Sequence, residues 1–170
     1  MGIRVLSQRL AAGTTHTNST DEAVLDSYTI PANFFNGTNG KSLHARGYAL
    51  VADSNSTDTV VLRVRLGATT LTGTAIATTT AVDAADSDVC VYDIWLTVRD
   101  GDSSGTATTS VLMNDCDAVG TPADAFAVAV ASLDFTAALL LEITADWSVA
   151  HADNQIAAQQ FVVMEVVSDL

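Results

Sequence analysis

Hydrophobic and polar residues alternate with a period of two in four segments of the chain, which is the pattern of β-strands. In residues 59–66 every even-numbered position is Val or Leu, whereas the odd-numbered positions include Arg63 and Arg65. This segment predicts a half-buried strand with its arginines on the wetter face. The three other clear segments are residues 89–99, 139–147 and 161–167, the last with a backward extension to Gln155.

Six weaker segments complete the strand predictions: residues 3–9, 24–30, 43–52, 69–77, 106–112 and 126–131. Turn-forming residues separate them, among them an Asn/Gly-rich stretch at 36–40 and Asp/Ser-rich stretches at 53–58, 83–88 and 100–105. No window has sustained helical periodicity. About ten short strands at this spacing predict an all-β sandwich or barrel.

The chain divides into a loose N-terminal segment, residues 1–23, and a single sandwich domain, residues 24–170. The segment is a candidate arm that contacts a neighbour through Arg4 and Arg9; the alternative is a first strand of the sandwich followed by a loose turn. We expect no signal peptide, because the first residues lack an apolar run of about 7–15 residues.

Charge narrows the classes of partner. The chain has 20 acidic and 7 basic residues, a net charge of −13, and 17 of the acids are Asp. Such a surface disfavours nucleic acid and anionic membranes, so neither is expected as a partner. With 48% hydrophobic and 16% charged residues, the chain is not a disordered acidic tail.

Several strands carry apolar residues on both faces, residues 89–99 most clearly. One sandwich needs only its inner faces to be apolar, so the surplus predicts that an outer face is covered by another subunit. Val89, Val91 and Trp95 are the predicted interface residues on this strand, and a homotrimer is the expected assembly. Trp147 ends an apolar face and is expected to close the core.

Candidate chemistry is sparse, and we expect neither an enzyme nor a cofactor. The three histidines, His16, His44 and His151, belong to no recognised catalytic motif. Asp100 and Asp102 alternate as oxygen ligands do in calcium loops, but position 111 is Val where a twelfth-position Glu would stand, so they are weak calcium candidates and no metal is assigned. Cys90 and Cys116 lie far apart and are expected to be two free, partly buried thiols.

Residues 141–156 contain Thr144-Ala-Asp-Trp147-Ser followed by an Asp/Asn turn, and the middle of the chain has further strand-and-turn patterns around Gly67–Gly73 and Trp95–Arg99. These patterns resemble those of virion structural proteins of tailed bacteriophages. The resemblance covers roughly residues 25–168. It implies a jelly-roll-like β-sandwich of about eight to ten strands.

The function that this resemblance implies is structural. The expected role is a non-enzymatic capsid decoration (cement) protein on the outer capsid surface, with the major capsid protein as partner. The alternative is a carbohydrate-binding module of a head or tail fibre. Such a module exposes flat aromatic rings that stack on sugars, and Trp95 is the candidate platform.

Overall fold

The computed structural model describes residues 2–35, 41–53, 55, 57–113 and 130–167 of the 170-residue chain. This part of the chain contains no helix. None of its segments is therefore a helix of the length and apolar character that a membrane span requires. Its twelve strands are β1 (Gly2–Arg9), β2 (His16–Thr17), β3 (Ala23–Ile30), β4 (Lys41–Asp53), β5 (Thr59–Gly67), β6 (Thr74–Thr78), β7 (Val82–Asp83), β8 (Val89–Val98), β9 (Gly105–Met113), β10 (Val130–Leu133), β11 (Leu139–Trp147) and β12 (Gln155–Val167).

The strands form two antiparallel sheets. The larger sheet has the order β1-β12-β4-β8-β9-β10, and β2 also pairs with β12. The smaller sheet has the order β3-β11-β5-β6, and β7 also pairs with β5. Inward-facing residues of both sheets, such as Val64, Ile94, Leu141 and Val163, are fully buried and form one core.

The connectivity is that of a jelly roll. Four antiparallel pairs are nested along the chain: β1 with β12, β3 with β11, β4 with β8, and β5 with β6. The nested pairs roll up so that β12 also joins β4 and β11 also joins β5. The predicted jelly-roll-like sandwich is confirmed, and ten of the twelve strands are four residues or longer.

Several local predictions are confirmed. The last strand does extend back to Gln155, and β8 is a central strand between β4 and β9. Trp147 closes the core at the end of β11, with 1% of its surface exposed. The strand predicted over residues 3–9 is also present, as β1 at the edge of the larger sheet.

Two predictions differ from the structure. Strand β6 begins only at Thr74, because the preceding residues form a turn in which Leu71 has a φ of 60°. The expectation of two free thiols is wrong for Cys90, which is disulfide-bonded. Distance along the chain is a poor guide to pairing in a sandwich, since long connections bring remote segments together. Cys116 lies outside the described residues.

Candidate functional site

Exposed large hydrophobic side chains concentrate on the outer face of the larger sheet. In the described part of the chain nine such side chains are at least 36% exposed. Two of them, Leu10 and Val149, lie outside this face. The other seven belong to strands β1, β4, β8 and β9 and are Ile3, Val5, Tyr48, Val89, Val91, Trp95 and Leu112.

At one end of this face, two rows of side chains cross five strands in register. The first row is Val5, Met164, His44, Trp95 and Ser110, and the second is Ile3, Val166, Ser42, Thr97 and Thr108. We call these ten residues the apolar strip. It carries no Asp, Glu, Lys or Arg, although the chain as a whole has a charge of −13.

The centre of the apolar strip is a stacked pair of rings. The His44 imidazole lies parallel to the Trp95 indole, with 4.0 Å between ring centroids and 10° between planes. His44 Nε2 lies 3.1 and 3.0 Å from the two carboxylate oxygens of Asp93. The stack therefore fixes the Trp95 ring and occupies one of its faces.

Next to the apolar strip, the same sheet face holds a groove of about 470 Å³. Side chains from three adjacent strands meet there because Tyr48 lies opposite both Gln160 and Val91. A Cβ at Gly47 would collide with the Gln160 carbonyl, so glycine is needed at this close approach of two strands. The lining residues are Arg46, Gly47, Tyr48, Val89, Val91, Tyr92, Asp93 and Gln160.

The groove combines one cation, one anion and an aromatic ring. Arg46 lies directly opposite Asp93 in the ladder, but the Asp93 carboxylate is engaged by His44. Among the described residues, Arg46 has no ion-pair partner. Tyr92 donates its hydroxyl to the Gln160 carbonyl at 3.0 Å, and burial raises the pKa of this phenol. The groove is thus lined by a buried, hydrogen-bonded tyrosine together with charged and polar side chains.

The outer face of the smaller sheet is built differently. Arg65 donates from Nε and Nη2 to the two carboxylate oxygens of Glu22, at 2.6 and 2.7 Å, and from Nη1 to the Gly73 carbonyl at 2.8 Å. Thr144 also donates to Glu22, and Arg63 pairs with Asp146. The bond from Arg65 is the main reason why the pKa of Glu22 is lowered. We call Glu22, Arg63, Arg65, Thr144 and Asp146 the ionic cluster.

The two arginines predicted to dock on a neighbour make ion pairs within the chain. Arg4 Nη2 lies 2.5 Å from Glu165 Oε2, and Lys41 Nζ lies 2.8 Å from the other oxygen of that carboxylate. The hydrogen bond from Lys41 is the main reason why the pKa of Glu165 is lowered. Arg9 Nε lies 2.8 Å from Asp26 Oδ2, and burial raises the pKa of Asp26. These ion pairs hold β1 against the body of the sandwich.

The structure also places the other predicted site residues. Val89 and Val91 line the groove, whereas Trp95 lies in the apolar strip. In the predicted calcium loop, Asp102 Oδ1 accepts a bond of 2.8 Å from the Ser104 amide. No three His, Cys, Asp or Glu side chains converge on a metal-sized site within the described residues. Within the described residues, Asp100 and Asp102 are therefore not joined by a third side chain of these types that could complete a metal site.

The three histidines have different surroundings, and none of them is bonded to a nucleophile within the described residues. His16 is buried, which lowers its pKa, and its Nε2 has no hydrogen-bond partner in the described part of the chain. His44 contacts Asp93, and His151 Nδ1 lies 3.6 Å from Asp153 Oδ2. None of them is hydrogen-bonded to a described serine, threonine or cysteine side chain, so no nucleophile–base pair is assembled among these residues.

Sequence reasoning missed the groove. A signal for it existed in the fourth strand, where His44, Arg46 and Tyr48 alternate with small apolar residues and so share one outward face. Their partners Asp93 and Gln160 could not be assigned without the strand order, because period-two alternation gives the face of a residue and not its neighbours.

Comparison with known proteins gives only weak structural similarities. No protein-family model and no curated protein matches the chain. A chain of the structure of infectious bursal disease virus, Gx strain, is 18% identical with a TM-score of 0.38, and it covers 99% of this chain and 34% of its own length. The VP2 subviral particle of the same virus gives 16% identity, a TM-score of 0.36, and coverage of 97% and 33%.

A third solved structure is the CBM2 module of the evolved Dit of Lactobacillus casei BL23 phage J-1. It is 14% identical, with a TM-score of 0.34 and coverage of 85% of this chain and 70% of the module. The present chain spans about a third of the length of the two viral chains. Identities and scores this low assign neither a family nor a function.

Proposed function

We propose that this protein is a non-enzymatic structural protein of a tailed-bacteriophage virion, in which copies associate through the apolar strip. The single observation that carries the association is the strip itself, an uncharged surface on which Ile3 and Val5 are 64% and 55% exposed. Contiguous exposed apolar surface rimmed by polar residues is typical of protein interaction sites.

Charge favours a second copy of this chain as the occupant of the strip. Two chains of −13 repel each other wherever their acidic surfaces meet, so self-association needs a surface without charge. The strip meets this requirement, since its polar positions Ser42, Thr97, Thr108 and Ser110 carry uncharged hydroxyl side chains. A basic partner would instead be expected to bind an acidic surface, and the strip contains no Asp or Glu.

The finer proposal is capsid decoration. The resemblance to phage virion proteins and the jelly-roll fold support an assembly, with a homotrimer as the expected state, that binds the major capsid protein on the outer surface of the head. Surface shared across joints between capsid subunits would resist expansion of the shell. Trp95 is less suited to the alternative role of sugar platform, because His44 already stacks on one face of its ring.

The test is the native mass of the purified protein by light scattering. We expect a stable oligomer, and we expect Val5→Glu to dissociate it because the substitution buries a charge in the contact. Val149→Glu is the matched control: it also adds a carboxylate at an exposed apolar residue, but outside the strip. A monomeric native protein, or equal effects of both variants, would contradict self-association.

Decoration is tested separately by cosedimentation with heads assembled from the major capsid protein encoded with this chain. Retention of the wild-type protein on the heads supports the proposal. If the protein forms oligomers but stays in the supernatant at every salt concentration, capsid binding is excluded. Self-association through the apolar strip would still stand.

A further inference from the structure

We propose that the groove beside the apolar strip binds a neutral sugar residue. Tyr48 would supply the stacking ring, and Arg46, Asp93 and Gln160 would supply the hydrogen bonds. The proposal goes beyond the structural role and rests on a different surface, so each can fail without the other.

The size and lining of the groove suit a small polar ligand with apolar faces. Its volume of about 470 Å³ is within the range of roughly 300–1,000 Å³ that is typical of small-molecule sites. Val89 and Val91 give one side of the groove an apolar surface, and Tyr48 is 37% exposed. A pyranose ring presents C–H groups on its faces, and these pack against aromatic rings.

The polar groups match hydroxyls rather than an ion. A hydroxyl both donates and accepts, and here a guanidinium that only donates lies opposite a carboxylate that only accepts. The formal charges of Arg46 and Asp93 sum to zero, so the groove as a whole carries no net charge of either sign. Neighbouring hydroxyls of one sugar could bridge the two side chains.

Asp93 is held in place for this role. His44 Nε2 approaches both of its carboxylate oxygens, and His44 is itself fixed by stacking on Trp95. A carboxylate has about four acceptor positions, so contact with His44 leaves capacity for ligand hydroxyls. His44 is therefore a positioning residue for the groove.

The experiment uses the purified full chain and saturation-transfer-difference NMR. The probes are the methyl glycosides of glucose, galactose, mannose and N-acetylglucosamine, with glucuronic acid as the charged comparison. We expect transfer to at least one neutral glycoside and weaker transfer to glucuronic acid. Titration of that glycoside should show about a tenfold or greater loss of affinity in Tyr48→Ala and in Arg46→Ala.

Two variants control for indirect effects. Tyr48→Phe keeps the ring and should retain most of the affinity, and Val149→Ala, at an exposed residue outside both the groove and the apolar strip, should bind as the native protein does. Circular dichroism checks that each variant keeps the native fold. Absence of transfer to every neutral glycoside, or transfer that persists unchanged in Tyr48→Ala and Arg46→Ala, would overturn the proposal.

Discussion

The two outer faces of the sandwich differ in whether their side chains find partners within the chain. On the smaller sheet, the ionic cluster pairs its charges within the chain, with Glu22 accepting from both Arg65 and Thr144. On the larger sheet, Ile3, Val5 and Trp95 remain exposed to solvent. The comparison teaches that an outer sheet face can pair its polar groups within the chain, or can expose apolar side chains that another molecule could cover.

The largest expected difference between the faces is in stability. Glu22→Ala removes the carboxylate that orders Arg65 and Thr144, each of which is largely buried. We expect the free energy of unfolding to fall by about 2–3 kcal/mol, because a partly buried guanidinium loses its bidentate partner. Urea unfolding measures this change.

The matched variant on the larger sheet is Val5→Ala. Since this side chain is 55% exposed and the substitution removes only two carbon atoms, we expect it to lower the free energy of unfolding of the monomer by about 1 kcal/mol or less while weakening association. If the Val5 variant were the more destabilising of the two in dilute solution, the proposed difference between a face paired within the chain and a face left exposed would be wrong.

Acid is expected to weaken the ionic cluster through Glu22, and also the ion pairs of Glu165 that hold β1 at the edge of the larger sheet. The pKa of Glu22 is lowered from its ordinary value of 4.5 in the folded protein, as is that of Glu165. Below about pH 4.5 the unfolded chain binds more protons than the folded protein does. The stabilisation that these two carboxylates provide is therefore complete above about pH 4.5 and is lost as pH falls through their lower folded pKa values.

Thermal unfolding at a series of acid pH values tests this expectation. Glu22→Gln should reduce the dependence of Tm on pH, whereas Trp95→Ala should leave it unchanged. Asp26 opposes the trend, since burial raises its pKa and its contribution is lost as pH rises from 3.8 through the folded value. An unaltered slope in Glu22→Gln would exclude the cluster as the acid-sensitive element.

The smallest expected effect is spectroscopic. Trp147→Phe leaves Trp95 as the remaining tryptophan, and its fluorescence should shift to shorter wavelength as the protein concentration rises and the strip becomes covered. Trp95→Phe leaves the buried Trp147, whose emission should not depend on concentration. Identical behaviour of the two variants would show that the strip is not the surface that associates.

The sequence was sufficient for the fold class because alternation is a local property. It predicted the two-faced character of residues 89–99 and the burial of Trp147, and both follow from period two alone. The stacked rings depend on the register of His44 and Trp95, which are 51 residues apart along the chain, and the groove depends on pairs such as Tyr48 and Val91, which are 43 apart. Nor does alternation show that Arg4 and Arg9 are paired with Glu165 and Asp26, because these contacts join separate strands.

The nesting of strand pairs has a consequence for how the chain folds. The pair β5 and β6 closes a short loop, whereas β1 meets β12 only across almost the whole chain, a closure that costs more entropy until the inner pairs have formed. We therefore expect β1 to join last. Since Ile3 and Val5 are on this strand, the apolar strip becomes complete only in a finished molecule, and assembly through it would select fully folded copies over partly folded ones.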